Sequence, residues 1–69
     1  MRAIKLRVIG VERVKLERFV EDMNEDDDVA AILISKDTAF LAVAGYYGSA
    51  YVRYMASRHF TEYEIENIK

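Results

Sequence analysis

The chain has 69 residues, 52 % of them hydrophobic and 12 % aromatic, and a formal net charge of −2, with one histidine and neither cysteine nor proline. That length makes a single domain, residues 1–69, which buries only about 60 % of the surface its unfolded chain exposes, so self-association is the expected source of extra stability. The composition excludes disulfides, thiolate zinc sites and multi-histidine metal sites, and no apolar run is long enough for a membrane span.

The N-terminal stretch MRAIKLRVIG alternates charge with hydrophobe and lacks the continuous apolar core of a signal peptide, so a cytoplasmic setting is expected. Ile4, Leu6 and Val8 point one way and Lys5, Arg7 and Ile9 the other, the period-2 pattern of a strand that Gly10 ends. From Glu12 the period changes. Leu16, Phe19, Val20 and Met23 recur at i, i+3, i+4 and i+7, with Glu17, Arg18, Glu21 and Asp22 outside that stripe, which predicts an amphipathic helix over 12–24. Glu25-Asp26-Asp27-Asp28 follows at the helix C-terminus, where negative charge opposes the helix dipole. Charge is thus segregated. Residues 1–18 carry six Lys/Arg against two Glu, residues 19–35 six acids and no base, and residues 36–69 four of each. Such a chain is a poor generic ligand for nucleic acid, where affinity comes mainly from phosphate neutralisation.

Two apolar runs, Val29–Ser35 and Phe40–Ala44, flank Lys36-Asp37-Thr38, whose aspartate supplies turn chemistry, and together they read as a hairpin. Both runs are apolar on both faces, as buried strands are, yet only one can be central in a small sheet; the other is an edge. Gly45 and Gly48 bracket the entry to a second helix over 48–59, with Ser49 as its N-cap. On that helix Tyr47, Tyr51, Tyr54 and Arg58 share one face; Tyr51 and Met55 are expected to turn inward, with Tyr54 and Arg58 near the edge. In the tail 61–69, Tyr63 and Ile65 alternate with Glu62, Glu64 and Glu66, which reads as a last strand with a continuing helix as its competitor. The order β-α-β-β-α-β predicts an α+β, ferredoxin-like fold, a four-stranded antiparallel sheet with two helices on one face.

That order is similar to the RNA-recognition motif, whose third strand reads Lys/Arg-Gly-aromatic-Gly/Ala-aromatic-aliphatic. Lys36, Ala39, Phe40 and Leu41 agree with the pattern, whereas Asp37 replaces the glycine, Thr38 a stacking aromatic, and Lys5 stands where the first strand would carry another. The residues that touch RNA are mostly missing, and the resemblance is confined to the element order and these four positions.

Other signals are local. Asp22-x-Asn24-x-Asp26 has the opening spacing of a calcium loop, but Asp27 occupies the glycine position and Leu33 that of the bidentate glutamate, so a solvated acidic loop is expected and no metal. The glycines of GYYGS lack the Lys-Ser/Thr ending of a nucleotide loop and suit a strand-to-helix turn. His59 follows Arg58, and Ser35, Ser49 and Ser57 have no activating context. No catalytic residue and no cofactor is expected.

The expected function is therefore a non-enzymatic, regulatory protein–protein interaction module, homodimeric, that docks on a protein partner. Its expected contact residues are Tyr47, Tyr54 and Arg58 on the second helix and Asp26, Asp27 and Asp28 in the acidic loop. One alternative is single-stranded nucleic-acid binding by tyrosine stacking with Arg53 and Arg58. Another is an acidic surface that inhibits a basic, nucleic-acid-binding protein.

Overall fold

The computed structural model describes residues 1–45 and 48–68. The elements run β1 (Arg2–Val8), α1 (Arg13–Asn24), β2 (Val29–Leu33), β3 (Thr38–Val43), α2 (Gly48–His59) and β4 (Tyr63–Ile68). One four-stranded sheet has the order β2-β3-β1-β4 with every neighbouring pair antiparallel, a ferredoxin-like arrangement. The tail is a strand, because pairing with β1 places Ile65 opposite Leu6 and Tyr63 opposite Val8.

Alternation assigns the two faces. Ile4, Leu6 and Val8 of β1, Ala39, Leu41 and Val43 of β3, and Val29 and Ala31 of β2 are buried, together with Leu16, Phe19, Val20 and Met23 of α1. These side chains form the core between sheet and helices. Phe19 anchors it, with the rings of His59 and Phe60 each 5.3 Å away in edge-on contact. The opposite face of the sheet is bare. Register there aligns Ile32, Phe40, Lys5 and Glu66 in one row and Ala30, Ala42, Ala3 and Ile68 in the next.

β2 is shorter than its apolar run and β3 starts two residues before its own, and neither is covered on both faces. β2 stops at Leu33 because Ser35 and Thr38 hydroxyls both donate to Asp37 Oδ1 at 2.9 Å, closing the turn, while Ile34 and Ser35 N–H groups reach the Thr38 carbonyl. Those hydroxyl bonds, Ser35 first, with help from Arg7, hold the Asp37 carboxyl below its ordinary value. β3 is the central strand of the pair and β2 the edge. That edge is sealed at its middle. Asn24, the last residue of α1, donates Nδ2 to the Ala31 carbonyl at 2.8 Å and accepts the Ala31 N–H on Oδ1 at 2.7 Å. A side-chain amide thus takes the place a further strand would use.

In α2 the inward residues differ from the expected pair. Val52 and Ala56 are fully buried, whereas Tyr51 and Met55 are half-buried at the side of the core. The smaller Val52 and Ala56 take the inward line, and the bulkier Tyr51 and Met55 pack at the flank. The helix begins at Gly48, whose φ of +65° is the left-handed conformation that glycine adopts without strain.

Candidate docking surface

β1 and β3 run antiparallel, and each is followed by a helix that returns over the sheet, so α1 and α2 run in opposite directions. The N-terminal half of α1 therefore lies beside the C-terminus of α2. Lys15, Arg18 and Asp22 share an open groove there with Arg58, His59 and Phe60. At the other end of the layer, the Tyr51 hydroxyl donates to Asp26 Oδ2 at 3.0 Å, tying the first turns of α2 to the loop that leaves α1.

Opposite charges occupy the two ends. Exposed Arg13, Lys15 and Arg18 stand in the first half of α1, joined by Arg58 of α2; exposed Glu21, Glu25 and Asp27 stand toward the far end, and Asp22 lies between them, lining the groove with Lys15, Arg18 and Arg58. For α2 the polarity is favourable, since Arg58 and His59 lie in its last turn, where the dipole is negative. For α1 it is adverse. Its first turn holds no acid, its last turn no base, and Glu12 makes no side-chain cap. Only Arg13 and Glu17 relieve this, pairing at 2.9 Å in the weaker order with the acid C-terminal to the base. Among the described residues, none of Lys15, Arg18, Arg53, Arg58, Glu21, Asp22, Glu25 and Asp27 joins an ion pair.

Tyr54 is 60 % exposed, with the Arg58 guanidinium 5.8 Å from its ring centroid. One turn apart on one helix, the two side chains form a cation–π contact. Tyr47 lies outside the described residues.

The acidic loop divides by role. Asp26 is half-buried; its Oδ1 accepts the Asp28 N–H at 2.9 Å while Oδ2 holds Tyr51, so its carboxylate shapes the loop. Asp28 is half-buried, and its carbonyl accepts the Ala44 N–H at 2.9 Å. Asp27 alone of the three is exposed. The surface acids with it are Glu21, on the exposed side of α1, and Glu25, which caps its C-terminus. Lys15 and Arg18 join Arg58 only through the antiparallel helix order, a long-range fact.

Among the described residues no group of three or more His, Cys, Asp or Glu side chains is placed to hold a metal ion. No described helix is long and apolar enough to cross a membrane. His59 packs edge-on against Phe19. No family model, curated protein or solved structure matches this chain.

Proposed function

We propose that this chain is a non-enzymatic protein-docking module whose contact surface is the helix layer, and whose partner is a protein surface of the reverse polarity. The observation that carries this reading is the segregation of unpaired charge toward the two ends of one layer, with exposed Tyr54 beside Arg58 at the basic end. Charges left unpaired by the monomer, and set against the dipole of their own helix, lower its stability slightly; a complementary surface turns the same charges into steering and register. Tyrosine and arginine are the residue types that concentrate binding energy when a partner desolvates them.

Single-stranded nucleic acid fits less well. Arg53, Tyr54 and Arg58 suit it, but Asp22 lines the same groove as Arg58, and on the sheet Glu66 sits in the same row as Phe40 and Lys5. A purely acidic inhibitor fits less well too, because the basic pole belongs to the same surface.

The test is site-specific photo-crosslinking in cells, with the reactive side chain at Tyr54 and a control at Lys36 in the hairpin turn. A protein adduct at position 54 that Arg58→Ala weakens, with none at position 36, supports the reading. No adduct at position 54 overturns it.

A further inference from the structure

We infer that the occupant of the helix layer is a second copy of this chain, turned end for end so that the basic pole of each rests on the acidic pole of the other. This deepens the docking reading and depends on it.

The geometry follows from α1. Val14, Arg18, Glu21 and Glu25 recur at i, i+4, i+7 and i+11 on the exposed side, opposite the buried line of Leu16, Phe19, Val20 and Met23. A two-fold axis crossing α1 at right angles between Phe19 and Val20 reverses the helix direction. By the repeat of the helix, Arg18 of each copy then stands level with Glu21 of the other, and Val14 with Glu25. A two-fold contact makes every such pairing twice. Across this contact the Arg18–Glu21 pairings are favourable, while Glu17, already paired with Arg13, stands level with Asp22 of the other copy. The acids ending α1 of one copy come to the uncapped N-terminal turn of the other, and the two antiparallel helix dipoles attract. A partner of reverse polarity is what the layer asks for, and a reversed copy of itself has that polarity.

Extents of 30 × 21 × 21 Å give the whole helix face an outline of roughly 600 Å², and an axis on α1 overlays part of it, so the contact belongs at the small end of specific interfaces. Such a contact is weak, reversible and salt-sensitive, and both bare sheet faces point away from it.

Sedimentation of the purified full chain tests this. At about 10 mM salt, where the screening length is about 30 Å, the wild type is expected to dimerise; near 1 M, where it is about 3 Å, to dissociate. Arg18→Glu and Glu21→Arg each set like charges together twice and are expected to weaken the dimer at least about tenfold. Both positions are exposed, so each single change is expected to leave the monomer folded, as circular dichroism will show. An equimolar mixture of the two variants is expected to form heterodimers, and the double variant Arg18→Glu/Glu21→Arg to dimerise again.

A wild type that stays monomeric at low salt up to about 1 mM chain overturns the inference. So does a dimer indifferent to salt and to both single variants, or two variants that fail to pair when mixed. If the chain is monomeric while position 54 still captures a different protein in cells, self-pairing falls and the docking reading stands. If neither occurs, both fall.

Discussion

On the bare face of the sheet Arg7 is held by Glu64 at 2.9 Å and approaches Asp37 at 3.7 Å, and Lys5 stands opposite Glu66 in register. On the helix layer, by contrast, Lys15, Arg18 and Arg58 join no ion pair among the described residues. Hydrophobes show the reverse contrast. The sheet face leaves Ile32 60 % and Phe40 39 % exposed beside small alanines, while the helix layer covers Phe19 completely and exposes Tyr54 as its largest aromatic. The ion pairs of the sheet face gather on Arg7, and the helix layer has one, Arg13–Glu17, with its remaining bases outside any pair among the described residues. Apolar exposure alone would have pointed to the sheet; charge that is both unpaired and polarised points to the helices.

The two faces separate most sharply through their phenylalanines. Phe19→Ala empties the core beneath the helix layer and is expected to cost about 3–5 kcal/mol of unfolding free energy, whereas Phe40→Ala costs about 1 kcal/mol or less and leaves dimerisation unchanged. Urea denaturation and sedimentation of the two variants measure this, and a dimer lost with Phe40→Ala moves the interface to the sheet. The next largest effect concerns the sealed edge. Asn24→Ala removes both bonds to Ala31, an expected loss of about 1–2 kcal/mol, and opens β2 to strand addition, seen as concentration-dependent light scattering. Scattering like that of the wild type would mean that the amide does not guard the edge.

The smallest effects are electrostatic. Arg7→Ala is expected to lose about 0.2–1 kcal/mol, an effect that salt erases, while Arg18→Ala leaves monomer stability unchanged. The folded Asp37 carboxyl lies below its ordinary value of 3.8, so its contribution is fully present above that pH and fades as acid is added through the lower folded value. Asp37→Asn removes that portion of the acid titration. An unaltered acid limb in the variant would show that the hydroxyls of Ser35 and Thr38 do not hold the carboxylate.

Periodicity made much of this architecture legible. The alternation of Ile4, Leu6 and Val8, the stripe from Leu16 to Met23 and the span 48–59 are local patterns, set by side-chain direction along one element. The polarity of α1 and the exposed position of Tyr54 and Arg58 follow from the same rule. Whether Tyr51 or Val52 faces the core depends on how closely α2 approaches the sheet, a distance no local pattern contains. The bond from Tyr51 to Asp26 spans 25 positions, and the Asn24 amide reaches Ala31 only after α1 and β2 have docked. Above all, the chain order lays out bases, then acids, then a tyrosine helix. Antiparallel docking of α1 and α2 brings Arg58 to the bases and Tyr51 to the acids, because each helix must retrace the strand before it. Composition along the chain wrote the two charges; topology made them two ends of one surface.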